Sequence, residues 1–239
     1  MGSCWKNLYR YNKNSKTINL NRYTFNENGN PTAQGENIIS NYYQELSSSD
    51  KGTTVSKNIT DFKNSVSTNG GYYIGRYEAR TTTERSSEDD TLTQITEKGT
   101  NPVYNYVTQI QAAEQAQNMY NSSKFTSDLM NSYAWDTATL FLQTCGEEKY
   151  SIKTSVNKSL ASKGTNSSDY TGTRDTVCNV YDMASNIREL TTETSNGSDG
   201  PCVSRGGDCF ISTFDTSCRD DNGTSNSNDN LGFRPLLFV

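Results

Sequence analysis

Two thiols and four carboxylates crowd into one stretch near the C-terminus: Asp208, Cys209, Asp215, Cys218, Asp220 and Asp221 all fall within residues 208–223. Paired thiolates can hold a soft metal such as Cu(I), and Asp215, Asp220 and Asp221 would give a displayed surface an electrostatic preference for basic groups. The chain has no histidine. That removes Ser-His-Asp and Cys-His catalysis, His-ligated zinc and the usual base near neutral pH. The six cysteines, at 4, 145, 178, 202, 209 and 218, include no C-x-x-C pair, so no zinc ribbon or thioredoxin motif is present. Cys178 and Cys202 could be buried neighbours, and free thiols are expected where nothing signals export.

The order of side chains in this stretch follows no structural rule. Phe210, Ile211 and Phe214 stand among Thr213, Asn222, Gly223 and the aspartates with neither a period of 2 nor one of 3.6. From Thr194 to Val239 there is no Lys, Glu, Gln, Met or Trp. Those five types are the ones an Asn codon cannot become when its adenines are replaced at random, whereas every residue from 208 to 223 can arise that way. An ordered frame brackets the tract: Arg205, Gly206 and Gly207 before it, Leu231, Gly232, Phe233 and Arg234 after it.

With 239 residues the chain can bury a real core. Its 22 basic and 27 acidic residues give a net charge of -5, with no cluster of Lys and Arg, which excludes nucleic acid as an expected partner. Apolar residues make up only 31%, but 15 Tyr and 8 Phe supply large buried area. Tyr, Ser, Asn and Gly are also the vocabulary of recognition surfaces, or simply of an AT-rich genome. No run approaches 18 apolar residues and the opening MGSCWKNLYR lacks the apolar core of a signal peptide, so neither membrane insertion nor export is expected.

The elements that must position the tract are short. Residues 17–25, followed by the turn-rich 26–31, predict a hairpin, and Ile59, Phe62 and Val66 predict one helix face ended by Gly70 and Gly71. A strand is expected at 72–79 and an exposed polar excursion at 81–99. A helix over 106–119 should bury Val107, Ile110, Ala113, Ala116 and Met119. A second, over 127–144, should be capped by Ser127 and Asp128 and bury Leu129, Tyr133, Ala134, Ala138, Phe141 and Leu142. Residues 150–176 read as loop, and strands are expected at 187–191, 202–205 and 232–239, the last paired to an early strand. High burial is expected at Tyr73, Ile74, Trp135, Met183 and Phe233 as well. Helices set between strands predict one α+β domain over 1–239, with 1–66 as an N-terminal hairpin-and-helix extension and 194–239 as a C-terminal variable segment.

VYDMASNIREL at 180–190 resembles the Leu-Tyr-Asp-Met-x-Gly-Asn-Val-x-Glu-Trp signature of the formylglycine-generating-enzyme (sulfatase-modifying factor) superfamily. GYYIGRYEA at 71–79, Pro102 and Val103 ahead of Ala113 and Ala116, and the Arg-Gly-Gly and Gly-Phe-Arg frames resemble four further stretches of that family in order. The resemblance implies a C-type-lectin-like fold, with two main helices packed on short antiparallel strands. The family's enzymes oxidise a substrate cysteine with two copper-binding cysteines just past the Gly-Gly landmark. The matching positions here are Ile211 and Thr216, and Cys209 and Cys218 lie nine residues apart instead of five, which argues against a copper oxidase. The family's signature loop also holds Ca²⁺, and Asp182 and Glu189 match its side-chain ligands while Ser185 and Ile187 match its backbone ones. The alternative is that Asp182 caps a turn and Glu189 makes a buried hydrogen bond.

The frame and tract also resemble the variable proteins of diversity-generating retroelements, which share this fold. The function that resemblance implies is non-enzymatic binding of a protein or cell-surface ligand by a hypervariable surface, in phage tropism or adhesion, at a phage tail tip or a bacterial surface. The displayed residues would be Asp208, Cys209, Phe210, Ile211, Thr213, Phe214, Asp215, Cys218, Asp220, Asp221, Asn222 and Gly223. A third possibility is a structural subunit of a virion or cell surface whose loop has no ligand.

Overall fold

The computed structural model describes residues 5–7, 18–40, 43–45, 59–88, 95–96, 101–120, 124–154, 175–208, 211 and 213–239. In chain order the elements are β1 (Trp5–Asn7), β2 (Tyr23–Phe25), β3 (Pro31–Ala33), β4 (Tyr43–Glu45), α1 (Ile59–Asn69), β5 (Tyr73–Gly75), β6 (Arg80–Thr81) and β7 (Ile95–Thr96). There follow α2 (Gln109–Met119), β8 (Thr126–Leu129), α3 (Ser132–Cys145), β9 (Thr176–Val177), β10 (Val180–Tyr181) and β11 (Arg188–Ser195). The chain ends with β12 (Cys202–Arg205), β13 (Arg219–Asn222), β14 (Leu231–Phe233) and β15 (Pro235–Phe238). The fold is mixed α+β, as expected. The expectations for Cys4, Cys209 and Phe210, and for the loop at 155–174, lie outside the described residues.

Two sheets organise these pieces. One runs β1-β5-β15-β8 and is antiparallel throughout; the other runs β13-β12-β11-β14 with β4 also on β11, and β14 is parallel to β11. The C-terminal strand does pair with an early one, Leu236 opposite Ile74. It is nonetheless two strands, because the chain passes from one sheet to the other at Arg234. The expected hairpin forms as β2 and β3, closed by Gly29 N–H donating to Asn26 O at 2.7 Å.

The second expected helix starts later than its signals suggested. Ser127 and Asp128 belong to β8, where Asp128 pairs with Leu236, and the cap of α3 is Asn131, whose side chain accepts from Ala134 N–H at 2.9 Å. Pairing with β15 outweighs the local capping signal. α3 is then buried all round from Ser132 to Thr139, as befits a helix enclosed by its neighbours. In α2, Thr108 and Gln111 form a reciprocal capping box that fixes the inward face as Gln109, Ala112, Ala113 and Ala116. Ile110, expected inside, is 43% exposed. Tyr73 is likewise only half-buried, because strand alternation turns Tyr72 and Ile74 inward instead. Val107, Trp135, Phe141, Met183 and Phe233 are buried as expected.

Candidate functional site

The frame before the tract is closed by arginine. Arg205 ends β12 with its side chain fully buried, donating from Nη2 to Asp136 Oδ1 at 2.5 Å and from Nη1 to Glu193 Oε2 at 3.2 Å. Arg219, the first residue of β13, grips the same two carboxylates, at 2.5 Å to Asp136 and 2.9 Å to Glu193. Arg22 from β2's approach adds a third guanidinium, 2.7 Å from Glu193. Burial works to raise the Glu193 carboxyl, but Arg219, Arg205 and Arg22 outweigh it and hold it at about 2. Arg205 also donates to the carbonyls of Cys218 (2.8 Å) and Ser217 (3.2 Å), fastening the far side of the tract to its start.

The two glycines of this frame press on the 182–187 loop. A Cβ on Gly206, which sits at φ +82°, would meet Met183 O at 2.5 Å, and one on Gly207 would meet Ala184 O at 2.2 Å. Only glycine lets the backbone lie this close. At the other end, Arg234 holds Glu189 bidentately (3.0 and 2.5 Å) and donates to the carbonyls of Gly75 and Tyr181, both at 2.8 Å.

Between these anchors the tract divides. Asp208 is fully buried: its Oδ1 accepts from Ile211 N–H at 2.6 Å, while Oδ2 accepts from Asn230 Nδ2 and pairs with Arg188 Nε, both at 3.1 Å. Thr216 is fully buried too, its N–H donating to Lys153 O at 3.1 Å and its carbonyl accepting from Trp135 Nε1 at 2.9 Å. Asn222 is 3% exposed and donates to Ser204 Oγ at 2.9 Å. The expectation that Asp208 and Asn222 are displayed is therefore corrected: their short polar side chains satisfy buried neighbours. Thr213 is exposed, and Ile211, Phe214, Asp215, Cys218, Asp220, Asp221 and Gly223 are half-buried.

Arg188, at the start of β11, underlies this rim. It pairs with Asp208 and with Asp220, and its guanidinium lies 5.3 Å from the centre of the Phe214 ring. Burial pulls the Arg188 pKa down while Asp208 pushes it back up. Burial, helped by Asp215, pushes the Cys218 thiol up to about 11, so near neutral pH it is protonated and a poor nucleophile. Of the two positions matching the family's copper cysteines, Ile211 is half-buried and Thr216 sealed.

Asp182 and Glu189 each face a different guanidinium. Glu189 is taken up by Arg234, whereas Asp182 accepts from Ser185 Oγ at 3.1 Å and faces Arg80 at 3.8 Å. Glu78 shares Arg80 at 3.1 Å and accepts from Asn186 Nδ2 and Ile187 N–H. Guanidinium groups thus neutralise the carboxylates that the resemblance assigned to calcium. Burial, opposed by Arg80, pushes the Asp182 carboxyl to about 6. Among the described residues no group of three or more His, Cys, Asp and Glu is placed to hold a metal, and no helix is long and apolar enough to cross a membrane.

Sequence reasoning missed Asp136, Glu193, Arg22, Arg219 and Arg188 as the supports of the tract. Asp136 did carry a signal, being the one charged residue in the otherwise uncharged helix 132–145. No protein-family model matches the chain, and no curated protein matches it. Among solved structures it is similar to Treponema denticola variable protein 1, at 14% identity and a TM-score of 0.45, over 71% of this chain and 85% of that one.

Proposed function

We propose that this chain is a non-enzymatic binding protein: a C-type-lectin-like scaffold of the formylglycine-generating-enzyme type whose C-terminal surface is diversified by a retroelement. The observation that carries this reading is the split within residues 208–223. Asp208, Thr216, Arg219 and Asn222 tie the backbone to the scaffold through buried partners. Ile211, Thr213, Phe214, Asp215, Asp220 and Asp221 stand at the surface, where exchange leaves those ties intact. A backbone ordered by its floor loses little conformational entropy on binding, and apolar anchors ringed by polar groups are what a protein-binding patch needs. The partner is a protein or cell-surface ligand, and the carrier a phage tail tip or a bacterial surface.

The test is the neighbouring DNA. A reverse-transcriptase gene with a near-copy of the segment encoding residues 204–234 is expected, and sibling copies should differ at Asn-codon positions while keeping Arg205, Gly206, Gly207, Arg219 and Arg234. Siblings whose differences are spread evenly along the chain would overturn it.

A further inference from the structure

A cavity of about 290 Å³ lies at the seam between the N-terminal segment and the tract, walled by Phe25, Ile39 and Tyr43 on one side and by Ser217 and Arg219 on the other. That volume sits at the small end of ligand pockets and suits one side chain. Its walls come from two origins: Phe25 and Ile39 belong to the scaffold, whereas Ser217 and Arg219 belong to the tract.

The chemistry of this cavity is set by Arg219. Its Nε and Nη2 are committed to Glu193 and Asp136, and Nη1 has no hydrogen-bond partner among the described residues. The cluster behind it holds three guanidiniums, those of Arg22, Arg205 and Arg219, against the two carboxylates of Asp136 and Glu193. Among the described residues the guanidiniums of this cluster outnumber its carboxylates by one. Asp221 lies beside Tyr43 but makes no ion pair with Arg219. Tyr43 donates its hydroxyl to Arg219 O at 3.2 Å, which fixes the wall, and Phe25 with Ile39 offers an apolar surface for a methylene stem.

We infer that this cavity is a subsite for a carboxylate carried by a protein partner, an acidic side chain or a chain terminus, bound through Arg219 Nη1. The inference rests on reading the tract as the binding face. A charge-assisted Arg–carboxylate contact in a half-enclosed site is strong and directional. Asp215 and Asp220 at the rim disfavour an acidic group away from the cavity, so the cavity sets the register in which a partner docks. Because siblings are expected to keep Arg219 and the scaffold wall lies outside the tract, the subsite gives a diversified surface one constant point of attachment.

The test uses the whole chain and NMR titration with N-acetylglutamate α-amide, its glutamine counterpart and N-acetylneuraminic acid. Saturable shifts at Arg219 Nε–H and the Ser217 amide are expected with the glutamate compound, and none with the glutamine one. Thr24 also lines the cavity, and Thr24→Glu, which tethers a carboxylate there to compete for Arg219, should weaken glutamate binding at least tenfold, while Thr24→Gln, which loses the same Gln34 hydrogen bond without adding charge, should not. Tyr43→Phe should weaken it less. Equal shifts from the glutamine compound, absence of saturation, or tighter binding of the acidic sugar would each overturn the proposal. None of these results bears on whether Ile211 and Phe214 can be exchanged, so failure of the subsite is distinguishable from failure of the binding-face reading.

Discussion

Asp208 and Asp220 share one guanidinium, that of Arg188, yet Asp208 is sealed from solvent while the Asp220 side chain is 29% exposed. Asp208 also accepts from a backbone amide and from Asn230, whereas Asp220 sits on an edge strand. Twelve residues apart, the same side chain is floor in one place and rim in the other. Position relative to the frame decides the role, and residue type does not. Thr216 and Thr213 repeat the contrast, one fully buried and the other exposed.

The floor breaks hardest at its arginine cluster. Asp136→Ala leaves Arg205 and Arg219 short of a partner, and removing one member of a buried ionic network costs about 3–5 kcal/mol. Chemical denaturation should show that loss; one below about 1 kcal/mol would mean the cluster is not the anchor.

Acid should act on the same cluster. The Glu193 carboxyl is held at about 2, below its ordinary 4.5, so the stability it contributes is fully present above about pH 5 and is lost as pH falls toward 2. The 182–189 loop runs the other way. With Asp182 raised from 3.8 to about 6, the folded state binds that proton more tightly, and its contribution declines as pH rises from about 4 to 6. Unfolding measured across pH 2–7 should show Asp182→Asn flattening the second limb and leaving the first unchanged.

Gly207→Ala drives a methyl into the Ala184 carbonyl and should cost about 1–3 kcal/mol in the same assay. A neutral result would show that the frame glycines do not fix the tract. The closest pairing of floor and rim gives a smaller difference. Asp208→Ala strands buried donors, at about 1–3 kcal/mol, whereas Asp220→Ala removes a part-exposed ion pair worth less than about 1 kcal/mol. Equal costs would erase the distinction.

Much of this was legible in the sequence, for definite reasons. The strand at 202–205, the cores of the strands expected at 187–191 and 232–239, and most of the helix faces of α1 and α3 were legible, although the first of those strands runs on to Ser195 and the second breaks at Arg234. The frame of Arg205, Gly206, Gly207 and Arg234 was visible because its residue types are dictated by close approach and ion pairing. What was hidden is the division within 208–223, since Asp208 and Asp220 look alike until Arg188 and Asn230 are placed around one of them. The buried cluster was equally hidden, because Arg22, Asp136, Glu193 and Arg219 come from four distant parts of the chain and no local pattern joins them. Ser127 and Asp128 misled for the opposite reason: their local capping signal was real but lost to strand pairing.

The rim can be rewritten while the floor holds. Replacing Ile211 and Phe214 together by Asn and Ser, with thermal unfolding and ligand capture measured on the same sample, is the sharpest test. The melting temperature should stay within a few degrees of the parent, as surface substitutions shift stability by about 0.5 kcal/mol or less each, and the binding partner should change. A cooperative loss of folding in that variant would show these side chains to be core and not rim.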